Sequence, residues 1–159
     1  MKNKYLKNFL HIIVVILLTI LTQIRGLIWI INIGFYKYVQ KGISKLFRVL
    51  SFLVLYLLSS ILVVPSLAKY FGRVPLPMTK FENLVPHNFL TPILNRHYVK
   101  PKLKSQLIEI AKMTNIINRK LKVSYLDANF PFIYGFPLLP HLSHNDGKKG
   151  GFILLLYKR

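Results

Sequence analysis

Two long apolar stretches fill most of the first 80 residues, and no acidic residue interrupts either of them. Residues 9–35 are apolar apart from scattered polar positions such as His11, Thr19, Thr22, Gln23 and Arg25. Residues 49–67 carry no charge at all. About 20 consecutive apolar residues suffice to cross a bilayer as a helix. The first stretch is longer than that, so a tilted helix or a snorkelling Arg25 is expected to absorb the excess. The alternative is a short span followed by a helix lying in the membrane plane. A basic start and an apolar run also describe a secretory signal, but no small-x-small cleavage site follows. A linker at 36–48 with Lys37, Lys41, Lys45 and Arg48 separates the two stretches. Lys69, Tyr70 and Arg73 form an interfacial border after the second, where Gly72, Pro75 and Pro77 end the helix.

Composition agrees. Hydrophobic residues make up 53% and mean hydropathy is +0.42, above the roughly 45–50% apolar content of soluble domains. That excludes an intrinsically disordered chain. Lys and Arg total 23 against 4 Asp and Glu, a formal charge of +19. AT-rich coding would favour lysine over arginine but would not remove carboxylates. Such a surface suits anionic lipid, peptidoglycan or nucleic acid. Nucleic acid is the poorest fit, because no stretch has the aromatic pattern of an RNA-recognition module. The absence of cysteine excludes disulfides, thiolate metal sites and cysteine nucleophiles.

Beyond residue 77 the chain changes character. Residues 78–100, with Pro86 and Pro92, read as an irregular tether. Leu103, Leu107, Ile110, Ala111, Thr114, Ile117 and Leu121 recur at helical spacing, and Pro101 stands at a usual helix start, which predicts an amphipathic helix over 102–121. Residues 122–126 predict a short strand with Val123 and Tyr125 on one face. Residues 150–159 are an apolar run that can pair with it, with Phe152, Leu154 and Leu156 on one face. Asp127, just after the predicted strand, is expected to cap or to pair with a nearby lysine. Arg96 and His97 fall in the tether, where solvated or lipid-facing roles are expected.

No HExxH, GxSxG, P-loop or GxGxxG pattern is present. The remaining chemistry-bearing cluster is His141, His144, Asp146 and Gly147. Imidazole and carboxylate are the usual zinc ligands where thiolate is absent. A glycine three residues after a histidine can turn the chain toward a shared ion. The bland reading makes both histidines ordinary loop residues.

Ser143-His144-x-x-Gly147 resembles the first half of the motif of LAS-type zinc peptidases, the D-Ala-D-Ala carboxypeptidases and penicillin-insensitive murein endopeptidases. Their pattern is Ser-His-x-x-Gly-x-x-x-Asp, with the histidine and aspartate on zinc. The segment Asn95-Arg96-His97-Tyr98-Val99 together with residues 125–149 resembles an uncharacterised family of bacterial membrane proteins of Bacteroidetes type. That likeness covers most of the chain. It implies a zinc ligand at His144 and, in an intact relative, zinc that polarises a peptide carbonyl and activates water. The sequence departs from the pattern where its aspartate belongs, because position 151 is glycine, and no further histidine follows. A catalytic zinc needs about three protein ligands.

Lys148-Lys149-Gly150 would be encoded by a homopolymer-prone run. Removing the first base of codon 150 can place aspartate at position 151. The expectation is therefore a frameshifted, truncated product; the alternative is a genuine short paralogue. The sequence as a whole reads as a membrane α protein with two N-terminal transmembrane helices plus a small, incomplete α+β segment. Its organisation is a membrane region at 1–77, with spans near 9–35 and 49–67, a tether at 78–100 and the α+β part at 101–159. No catalytic or cofactor-binding residue is assigned, and His144 is the one candidate metal ligand. The expected function is that of a catalytically inactive remnant of a membrane-anchored metallopeptidase-like protein in the bacterial cytoplasmic membrane. It would be multi-pass, with the bilayer and peptidoglycan as partners, no nucleic acid, and no cofactor of its own. The competing expectation is a non-enzymatic basic membrane protein that binds a partner or an anionic surface. A membrane-permeabilising peptide is a third class, disfavoured by the Pro-rich loop.

Overall fold

The computed structural model describes residues 2–39, 44–79, 83–138 and 146–156. The chain divides into two compact units, Met1–Val63 and Val64–Arg159.

The first unit is built from three helices, α1 (Lys2–Thr22), α2 (Arg25–Val39) and α3 (Lys45–Leu58), the last followed by a π-helical turn at Ser59–Val63. The stretch expected as one span over 9–35 is two helices. Gln23 adopts a left-handed backbone (φ 64°), and its N–H still bonds the Thr19 carbonyl at 2.7 Å. The hydroxyl of Thr22, fully buried, then accepts from the Arg25 N–H at 3.1 Å and starts α2. Helix α2 doubles back along α1. A Cβ at Gly26 would collide with Thr19 Oγ1 and lie 2.6 Å from the Val15 carbonyl oxygen, so this close approach needs glycine. The Arg25 guanidinium stacks 4.2 Å over the Tyr56 ring.

Helix α3 runs antiparallel to α2. Tyr36 donates to Ser51 Oγ at 2.7 Å, Asn32 Nδ2 donates to the Arg48 carbonyl at 3.1 Å, and the Trp29 and Phe52 rings meet edge-on at 5.2 Å. Among the described residues, two stretches are long and apolar enough to cross a membrane, Tyr5–Thr22 and Lys45–Tyr70. The second contains the predicted 49–67. Only 6% and 17% of them is buried within the protein. Helix α1 spans about 31 Å at 1.5 Å per residue, close to the thickness of a bilayer core.

The second unit opens with α4 (Val64–Tyr70), whose Pro65 follows the π turn. A proline deprives the preceding turn of an N–H, and a widened turn accommodates that loss. Strands β1 (Val74–Pro75) and β3 (Tyr98–Val99) pair antiparallel. Strand β2 (Leu84–Pro86) pairs in parallel with β4 (Leu121–Tyr125), and β4 pairs antiparallel with β5 (Phe152–Leu156), giving the order β2-β4-β5. Helix α6 (Pro101–Ile117) forms the crossover between the parallel strands and packs on β4.

The core joins Leu76, Leu84, Val99, Leu107, Ala111, Val123, Tyr125 and Ala128, with Leu103, Ile108 and Phe152 against it. Leu84 and Val99 are fully buried. The segment expected as a tether is thus part of the folded unit, because its apolar residues are needed to cover α6 and β4. Helix α6 stops four residues short of the predicted end. Asn118 leaves helical geometry, and its side chain accepts from the Lys120 N–H at 2.9 Å to form the turn into β4. On β5, Phe152 and Leu154 stand opposite Tyr125 and Val123 of β4, and Phe152 reaches the core while Leu154 is exposed.

Candidate functional site

Four backbone segments of the second unit converge on one polar cluster. Helix α5 (Leu90–Ile93) ends at Asn95, which takes a left-handed conformation (φ 56°) that asparagine tolerates. The reversal sends residues 96–100 past residues 73–76 on one side and 127–130 on the other. The Leu76 N–H donates to the His97 carbonyl at 2.8 Å, Tyr98 to Asn129 at 3.0 Å, and Ala128 to Arg96 at 2.8 Å. Gly147, in a left-handed turn at φ +74°, accepts from the Lys100 N–H at 2.9 Å.

Arg96 and Asp127 form an ion pair at 3.0 Å, and the Thr91 hydroxyl donates to the other carboxylate oxygen at 3.2 Å. Asp127 therefore pairs with arginine rather than lysine, and Arg96 is neither solvated nor lipid-facing. His97 is buried at 2% exposure beside the Tyr98 ring. Burial, reinforced by the Lys104 charge, pushes its imidazole down to about 3, so it is neutral at physiological pH. Its Nδ1 meets no partner among the described residues.

Arg73 is the largest fully buried side chain, at 0% exposure. Its Nη1 donates to the Phe130 carbonyl, and its guanidinium lies 4.6 Å over the Tyr134 ring. Lys100 Nζ approaches the same ring at 5.5 Å. Desolvation lowers the Arg73 pKa, and Tyr134 and Asp146 partly offset it. Nε and Nη2 find no acceptor at hydrogen-bonding geometry among the described residues. These two nitrogens form one side of the guanidinium fork, the side that grips two oxygens of one anion.

His144 and His141 lie outside the described residues. Gly151 sits against Leu126, with its carbonyl accepting from the Leu126 N–H at 2.8 Å. A Cβ there would come within 3.1 Å of Leu126 Cδ1. Asp146 accepts from the Lys148 N–H at 2.8 Å in a local turn. Among the described residues no group of three or more His, Asp or Glu could hold a metal ion. Asp127 is committed to Arg96, and Gly151 offers no ligand. The cluster gathers Arg73, Lys100, the Arg96–Asp127 ion pair and the buried neutral His97. Arg73 was legible in the sequence only as a border residue after the second apolar stretch, and no pattern marks it as a core position.

No protein-family model, curated protein or solved structure matches the chain.

Proposed function

We propose that the chain is a multi-pass protein of the bacterial cytoplasmic membrane whose C-terminal α+β unit binds an anionic group and performs no hydrolysis. The unit is the remnant of a membrane-anchored zinc-peptidase-like protein that keeps the Ser143-His144-x-x-Gly147 half of the motif and has lost its aspartate to a shifted frame. Support for the membrane reading comes from the apolar residues that α1 and α3 leave outward. Phe9, Ile12, Ile16, Leu50, Val54 and Ile61 are all about half exposed or more. Contiguous apolar surface of that extent is unfavourable in water and needs an apolar solvent or partner.

The observation that carries the binding reading is the Arg73 fork, buried, positively charged and with two donors unanswered among the described residues. A buried cation is costly without a full counter-charge, and Asp146 offsets the desolvation of Arg73 only in part. A carboxylate on a peptidoglycan stem peptide has two oxygens at the spacing that such a fork accepts. Lys100 and Lys104 add field of the same sign.

Calorimetric titration of the full chain in detergent with purified muropeptides tests this. Wild type binds, Arg73→Ala does not, and Arg73→Lys binds weakly because one ammonium cannot reproduce the fork. Equal binding by all three chains refutes the anion site. Tight stoichiometric zinc that His144→Ala removes, with peptide-bond cleavage, overturns the inactive-remnant reading.

A further inference from the structure

The three-helix unit holds a second basic site, distinct in chemistry and place from the Arg73 cluster. A hollow of about 580 Å³ opens at the end of the unit where α1 begins, α2 finishes and α3 starts. Lys7, Lys37 and Arg48 line it, one from each helix, together with Trp29, Asn32 and Tyr36. No acidic residue occurs in the first 80 positions, so no carboxylate of this unit can neutralise those cations. The Trp29 Nε1 is buried and has no acceptor among the described residues. The hollow therefore offers three cations with no carboxylate of the unit to answer them, which is the complement of a phosphate.

Two apolar grooves adjoin this hollow. One, about 300 Å³, lies between α1 and α2 along Ile12, Val15, Ile16 and Ile30, and shares His11 and Ile33 with the hollow. The other, about 390 Å³, lies between α2 and α3 along Ile31, Phe35, Val54 and Leu55, and shares Asn32 and Tyr36 with it. Each groove runs from the basic end toward the middle of its helices. The basic hollow thus shares lining residues with two apolar grooves, one between α1 and α2 and one between α2 and α3.

We infer that this unit binds one anionic diacyl phospholipid, with the phosphate among Lys7, Lys37 and Arg48 and one acyl chain in each groove. The inference rests on the membrane reading above. Tyr36 and Trp29 line the hollow beside the three cations. Asn32, at 2% exposure, is held by Ser51 and the Arg48 carbonyl, so it fixes the floor of the hollow. A free phosphate would use the same cations and leave both grooves empty.

The test is native mass spectrometry of the full chain purified from mixed phosphatidylglycerol and phosphatidylcholine vesicles. One phosphatidylglycerol per chain is expected, retained in preference to phosphatidylcholine. The variant Lys7→Gln/Lys37→Gln/Arg48→Gln should lose it by about 100-fold, on a scale of one decade or slightly less per cation near an anionic surface. Ile30→Trp, at an exposed groove position, should displace the lipid while leaving every cation in place. Inorganic phosphate at millimolar concentration should not compete. Equal retention of both lipids, retention unchanged in both variants, or complete displacement by inorganic phosphate would each overturn the lipid site. Flotation with pure phosphatidylcholine vesicles reads insertion separately. A chain that fails to float refutes the membrane reading itself, and one that floats without retaining phosphatidylglycerol refutes the lipid site alone.

Discussion

His97 makes the second unit acid-sensitive in a way that can be worked out from its surroundings. The imidazole is almost fully buried, faces the charge of Lys104, and is held near 3 against an ordinary 6.5. The unfolded chain therefore binds a proton that the folded chain refuses between those values. Stability from this residue is fully present above about pH 6.5 and falls as pH drops toward 3. At 1.36 kcal/mol per pH unit, moving from pH 8 to pH 5 removes about 2 kcal/mol. Urea unfolding of the full chain in detergent, followed by tyrosine near-ultraviolet circular dichroism, reads the change, because Tyr98 and Tyr125 are buried in this unit. The comparison is with His97→Gln, which cannot titrate. Its overall stability is lower, but its loss between pH 8 and pH 5 should be smaller than that of wild type by about 2 kcal/mol. Identical pH slopes for the two chains would refute the burial argument.

Further outcomes follow from the same contacts. Asp127→Ala should destabilise the second unit by about 2–3 kcal/mol, because it strands a mostly buried Arg96, and Arg96→Ala/Asp127→Ala should cost less than the sum of the singles in a double-mutant cycle. Tyr125→Phe should lose about 1 kcal/mol with the bond to the Pro77 carbonyl, measured by urea unfolding. Gly26→Leu should part α2 from α1, since Thr19 and the Val15 carbonyl occupy the space, and faster amide exchange at Ile28 would report it. Gly151→Asp restores the aspartate of the peptidase-like motif and asks only that Leu126 give by a few tenths of an ångström. If the motif is ancestral, zinc affinity should rise about tenfold or more in a titration, and His144→Ala should abolish the gain.

The parts legible in the sequence are those with a regular period. Pro101 begins α6, Leu107 and Ala111 lie on its buried face, and Val123 and Tyr125 share the inner face of β4. Strand β5 pairs with β4 as the apolar run at 150–159 allows. Strands of two or three residues, such as β1, β2 and β3, have no period to read, and their partners lie far along the chain. That is why Leu84 and Val99 passed for a tether. The break at Gln23 was hidden because Thr22, Gln23 and Arg25 look like tolerated interruptions of a span, and only the fit of Gly26 against α1 distinguishes a reversal from a tilt. Arg73 was missed because a cation after a long apolar stretch is ordinarily an interfacial anchor. Nothing local announces that the chain will fold over it. Asp127 was expected to pair, and it does, though the partner lies across the cluster on residue 96.

The membrane reading is the ground on which the lipid site stands. Alkaline carbonate extraction of membranes from bacteria producing the full chain tests it most directly. The chain should stay in the membrane pellet, because the outward faces of α1 and α3 are apolar and cannot be released by removing charge attraction. Quantitative release into the supernatant would contradict it, and would mean that those faces are covered by protein rather than by lipid.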